Sequence, residues 1–129
     1  MQLDARKMLQ ETISRTSGLE FAVLVGSRAN GTVTVNSDWD IALQWQKEID
    51  WLEQLGRTES LRRTLSKLLS IPETSIDLID VPRSSLAMRA NIAEEGQVIK
   101  GENELAWLRF LRRTWRELEE HYWRQIYAA

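Results

Sequence analysis

Apolar residues fall along this chain in two rhythms. Phe21-Ala22-Val23-Leu24-Val25 is a continuous run that predicts a strand over residues 20–25, and residues 38–45 and 75–81 read as two more. Elsewhere the apolar positions recur every three or four residues. Leu3, Leu9 and Ile13 mark an amphipathic helix over 3–15. Ile49, Leu52, Leu55, Leu61, Leu65 and Leu68 mark another over 48–69, with Gly56 as a candidate break. Ser84 or Ser85 caps a third helix that stops near Gly96, Val98 and Ile99 suggest a short strand, and a long helix follows over about 103–127. On that last helix Leu108, Leu111, Trp115, Leu118, Tyr122 and Ile126 form one stripe, predicted to face the core.

Strands and helices in this succession predict an α+β fold, an α/β sandwich with a small sheet backed by helices. No repeat, low-complexity stretch or linker interrupts it. At 129 residues the expectation is a single domain over 1–129, with one core and no separate recognition domain.

Charge narrows the partners. Lysine and arginine number 17 against 19 aspartate and glutamate, a net of −2, which argues against broad sequence-independent nucleic-acid binding. Cysteine is absent, so disulfides and thiolate metal sites are excluded and a reducing compartment is suitable. Met1-Gln2-Leu3-Asp4-Ala5-Arg6-Lys7 has no signal-peptide core, and no apolar run reaches membrane-spanning length. The expectation is a soluble, cytoplasmic protein.

Candidate chemistry concentrates between residues 26 and 40. Gly26-Ser27 directly follows the first apolar run, and Asp38 and Asp40 open the second strand. Side chains alternate along a strand, so the two carboxylates point the same way while Trp39, Ile41 and Leu43 point to the other side, which makes Trp39 a core residue. Like charges on one face raise each other's pKa unless a cation lies between them, and Mg²⁺ favours one or two carboxylates together with substrate phosphates. Glycine permits a tight turn and close approach to a ligand. A short helix beginning at Ser27–Asn30 would turn its free amides toward phosphates, and the Ser27 hydroxyl adds a donor.

A two-metal transfer needs a third carboxylate. Ser75-Ile76-Asp77-Leu78-Ile79-Asp80-Val81 offers two, on opposite strand faces, and Asp77 is the stronger candidate because a mid-strand aspartate is harder to explain structurally. Alone, Gly-Ser or Asp-x-Asp reads as an ordinary turn or cap. The whole set, in this order on strands, favours a nucleoside triphosphate and Mg²⁺ site.

On those residues the chain resembles the minimal nucleotidyltransferases (MNT) of the DNA polymerase beta-like superfamily. Gly26-Ser27-Arg28-Ala29 and Ser37-Asp38-Trp39-Asp40-Ile41-Ala42-Leu43 match the core motif. Ile76-Asp77-Leu78-Ile79-Asp80 matches the third-acid strand, and Ile92-Ala93-Glu94-Glu95-Gly96-Gln97-Val98-Ile99 the segment after it. The resemblance implies a small mixed sheet, two Mg²⁺ ions on Asp38, Asp40 and Asp77, and triphosphate binding by Gly26 and Ser27 with Arg28 as a phosphate-side contact. Asn30 replaces a frequent basic residue, and Trp39 is bulkier than the usual aliphatic.

The long helix also carries Arg109, Arg112, Arg113 and Arg116, with Trp123 and Tyr127 on roughly the same side. Such a mix suits a protein interface, while Glu117, Glu119 and Glu120 are equally consistent with a solvated face. His121 reads as a surface or packing residue, and Arg62, Arg63 and Lys67 as a second basic face. The resemblance extends to the antitoxins of HEPN/MNT toxin–antitoxin modules, which implies a protein adenylyltransferase that moves AMP from ATP onto a tyrosine of a HEPN ribonuclease toxin in a hetero-oligomeric complex. The alternatives are a non-catalytic antitoxin that sequesters its toxin, or a nucleotidyltransferase acting on RNA or a small molecule.

Overall fold

The computed structural model describes residues 2–31 and 38–128. Its elements are α1 (Gln2–Ser14), β1 (Leu19–Val25), α2 (Ser27–Asn30), β2 (Trp39–Trp45), α3 (Trp51–Leu69), β3 (Ile76–Asp80), α4 (Leu86–Glu95), β4 (Gln97–Lys100) and α5 (Leu105–Tyr127), with single 3-10 turns at Glu73–Ser75 and Val81–Arg83. The strands form one sheet in the order β3-β2-β1-β4. β1 runs antiparallel to both neighbours, β2 and β3 are parallel, and the sheet is therefore mixed as expected.

Both sheet faces are covered, which is why β1 and β2 are apolar at almost every position. One core joins Leu9 and Ile13 of α1 and Leu61 and Leu65 of α3 to Ala22, Leu24, Trp39, Ile41 and Leu43. The other joins Ile92 of α4 and Trp107 and Phe110 of α5 to Phe21, Val23, Val25 and Ala42. Trp39 is buried, as strand alternation predicted. In the second core Phe21 meets Trp107 and Phe110 with ring centroids 5.1 and 5.5 Å apart, an arrangement aromatic pairs favour.

Several boundaries move for identifiable reasons. α3 begins at Trp51 because the Asp50 side chain accepts from the Glu53 amide at 2.8 Å and caps it. Gly56 does not break that helix, but Leu52 and Leu55 are exposed, so the stripe read from the sequence touches the core at Ile49, just before the helix, and again only from Leu61 onward. Ser85, not Ser84, caps α4 through the Met88 amide. α4 does end before Gly96, but this glycine has an ordinary φ of −71°. A Cβ there would lie 2.4 Å from Val23 Cγ1 and 2.5 Å from the Ile92 carbonyl oxygen, so close packing, not a left-handed turn, demands glycine.

The larger correction concerns α5. Its buried residues are Trp107, Phe110 and Thr114. Leu108, Trp115, Tyr122 and Ile126, predicted to face the core, are 53, 43, 61 and 45% exposed. Leu111 and Leu118 are half-buried, and every residue from 119 to 128 is exposed. At about 100° per residue the predicted stripe lies roughly a quarter-turn from the face the aromatic cluster seats on the sheet.

Candidate active site

Val25, Asp40 and Asp77 lie on one rung of the sheet, since Val25 pairs with Asp40 across β1 and β2, and Asp40 with Asp77 across β2 and β3. Both carboxylates therefore leave the same sheet face. Asp38, just before β2, is two residues from Asp40 and also influences it electrostatically. Burial first, then the charges of Asp77 and Asp38, hold the Asp40 carboxyl above the usual carboxylate range. Asp80 is turned away from this group, three residues on from Asp77 and ion-paired to Arg83 at 3.1 Å.

Gly26 closes over that rung. It has φ 71° and ψ −156°, a conformation open essentially to glycine alone. A Cβ on it would come within 2.5 Å of Asp40 Oδ2. Backbone bonds from Ala29 N and Asn30 N to the Gly26 carbonyl, at 3.0 and 3.2 Å, then form the expected short helix α2. Ala29 is buried and anchors α2, and Gly31 ends it in the left-handed conformation. Gln97 on β4 donates to the Ala29 carbonyl and accepts from Arg6 of α1, tying α2 to two other elements. The sequence pattern gives Gln97 no such role, and only the sheet order places it there.

The Arg28 guanidinium lies 3.9 Å from the centroid of the Trp39 ring. Burial lowers its pKa, and Asp38 opposes that shift. Ser27 starts α2 beside the acids. Ser37, the remaining motif residue, and the rest of 32–37 lie outside the described residues.

The donor set is all carboxylate oxygen, the chemistry that suits a hard divalent ion, and the mutual repulsion recorded on Asp40 is what such an ion would relieve. Among the described residues no three acidic or imidazole side chains are grouped tightly enough to ligate one ion as they stand.

The residues expected to meet a partner lie elsewhere. Arg109, Arg112, Arg113 and Arg116 are exposed on α5, and Trp123 stacks on Tyr127 with centroids 5.4 Å apart. Arg109 and Arg113 also line a cavity of about 570 Å³ with Gln44, Lys47 and Lys100, at the ends of β1 and β2 opposite Gly26 and Asp40. His121 is exposed and within 3.1 Å of Gln125, a surface residue as expected. Arg62 is structural, pairing with Glu59 and donating to the Ile76 carbonyl at the start of β3.

Residues 7–105 match the sequence profile of the family described as polymerase beta, nucleotidyltransferase. A protein adenylyltransferase MntA from Aphanizomenon flos-aquae is 26% identical over 99 residues, covering 74% of this chain and 66% of that relative's length. Among solved structures, a toxin–antitoxin with AMP-PNP superposes with a TM-score of 0.69 at 21% identity, covering 98% of this chain and 94% of the other. Another, a tri-AMPylated Shewanella oneidensis HEPN toxin in complex with an MNT antitoxin, gives 0.63 at 21% identity, covering 97 and 92%. These structural likenesses establish the fold.

Proposed function

Because this chain belongs to the polymerase beta, nucleotidyltransferase family, we propose that it is an antitoxin that transfers AMP from ATP to a tyrosine of a HEPN-type ribonuclease toxin in the cytoplasm. The observation that carries the catalytic part is the rung on which Asp40 meets Asp77, with Gly26 held against the Asp40 carboxylate. A toxin acceptor and an ATP donor are supported by the relatives, one named a protein adenylyltransferase and others named as toxin–antitoxin complexes with AMP-PNP or an AMPylated toxin.

In this reading Asp38, Asp40 and Asp77 would hold two Mg²⁺ ions, which when bound would neutralise the triphosphate and the charge developing on it. Gly26 and Ser27 cradle the β- and γ-phosphates, with Arg28 on the phosphate side. The tyrosine hydroxyl oxygen attacks the α-phosphorus, its proton passes toward Asp77, and the bond to the departing pyrophosphate breaks. Most of the acceleration comes from positioning and charge neutralisation.

The exposed face of Arg109, Arg112, Arg113 and Arg116 with Trp123 and Tyr127 favours a second reading, in which the toxin is held there and binding itself neutralises it. Intact mass spectrometry of a HEPN partner after incubation with this protein, ATP and Mg²⁺ separates the two. Whole AMP units on the partner, absent with an Asp38→Asn/Asp40→Asn variant, are expected. An unmodified partner in a stable complex leaves sequestration.

A further inference from the structure

The apolar face of α5 that the sheet leaves uncovered has a regular layout. Leu108, Leu111, Trp115, Leu118, Tyr122 and Gln125 follow one another in alternating steps of three and four, the 3.5-residue repeat of a two-helix seam. Leu108, Trp115 and Tyr122 are 53, 43 and 61% exposed, and every described residue beyond 118 is exposed as well. A helical end without tertiary packing is marginal in water, and exposed rows of large apolar side chains mark contact surfaces.

The charges flanking this seam identify the occupant. With Leu108, Trp115 and Tyr122 at the a positions and Leu111, Leu118 and Gln125 at the d positions, the e positions are Arg112 and Glu119, both exposed. Run antiparallel against an identical helix, Trp115 faces Leu118 of the partner copy, Leu111 faces Tyr122 and Leu108 faces Gln125. That register brings Arg112 beside Glu119 of the partner copy, twice, through the two-fold axis. A parallel in-register pair would instead set Arg112 and Glu119 beside Trp107 and Thr114 of the second copy, the g positions, which offer neither an opposite charge. The sequence of α5 is thus self-complementary in one orientation.

We propose that α5 is a homodimerisation helix, pairing antiparallel with α5 of a second copy of this chain through the Leu108–Gln125 seam. Nearly half a turn around the same helix, Arg109, Arg113, Arg116 and Tyr127 remain outside the seam. The proposal is independent of any catalytic activity.

Sedimentation equilibrium of the full chain over the low- to high-micromolar range tests it. A dimer is expected, and Trp115→Glu should make the protein monomeric. Arg112→Glu and Glu119→Arg should each weaken the dimer roughly tenfold, since two symmetry-related pairs turn from attraction to repulsion. The double exchange Arg112→Glu/Glu119→Arg should restore it. All three side chains are exposed, and circular dichroism confirms that the variants keep their helix content. A monomer at every concentration overturns the proposal, whether or not a HEPN protein binds this face. So does a double variant no tighter than the singles.

Discussion

Replacing Gly26 with alanine separates the two demands made at that position. Its backbone, at φ 71° and ψ −156°, costs a non-glycine residue on the order of 1–3 kcal/mol. The added Cβ would also lie 2.5 Å from Asp40 Oδ2. That is roughly 1 Å inside a favourable contact of about 3.5 Å, so the carboxylate must give way. A displacement of that size in a catalytic group can cost about 100-fold in rate. Gly31 is the matched control, because its φ of 81° is also left-handed but a Cβ added there would meet nothing within 4 Å among the described residues. Alanine there should cost roughly 1–2 kcal/mol of stability and no activity. The assay pairs urea unfolding with AMP transfer to the HEPN partner, read by intact mass. Gly26→Ala should lose about 100-fold in rate, well beyond any loss of folded protein. Full activity in Gly26→Ala, or an equal loss in Gly31→Ala, would refute the claim that Gly26 fixes the Asp40 carboxylate.

Titration offers a second check. The Asp40 carboxyl is raised by burial and by Asp77 and Asp38, so the folded protein binds that proton more tightly than the unfolded chain. Its contribution to stability is present below the unfolded carboxylate pKa and lost as pH rises through the folded one. Asp40→Asn should therefore melt higher than wild type at neutral pH in EDTA, with an advantage that shrinks under acid. An advantage independent of pH would contradict the assigned cause. Adding Mg²⁺ at neutral pH should stabilise wild type and leave Asp38→Asn/Asp40→Asn unchanged, as differential scanning fluorimetry would show. Trp39→Leu removes the ring under Arg28, a contact worth about 0.5–2 kcal/mol, and should raise the KM for ATP more than it lowers kcat. Trp39→Phe should recover part of that loss, and equal effects on both constants would place Arg28 elsewhere in the reaction. In the second core, Phe110→Ala should cost about 3–5 kcal/mol by urea unfolding, since the ring is fully buried against Phe21 and Trp107.

The acidic site was legible because its information is local. Two-residue alternation places Asp38 and Asp40 together, a glycine before a short helix marks a tight approach, and a mid-strand aspartate is conspicuous in apolar surroundings. The opposite faces of one strand allow only one of Asp77 and Asp80 to join the site, the mid-strand position favours Asp77, and the parallel register with β2 sets Asp77 level with Asp40. What stayed hidden depends on contacts between distant segments. Gln97 bridges Arg6 and the Ala29 carbonyl only because β4 lies beside β1, and the need for glycine at position 96 comes from Val23 on that neighbouring strand.

α5 shows why periodicity alone can choose the wrong face. Two apolar stripes run along it, Trp107-Phe110-Thr114 and the longer one from Leu108 to Ile126. The longer stripe gives the stronger pattern, yet the shorter wins the sheet because Phe21 offers its rings partners there. The sheet covers only the first part of the helix, whereas the longer stripe continues over residues that stay exposed to solvent. A hydrophobic period records that a face is selected to be covered, and carries no label for what covers it. Where two stripes compete on one helix, the shape of the core decides which is satisfied internally. The other is left as a surface whose spacing and flanking charges still specify a mate, which in α5 reads as the same helix reversed.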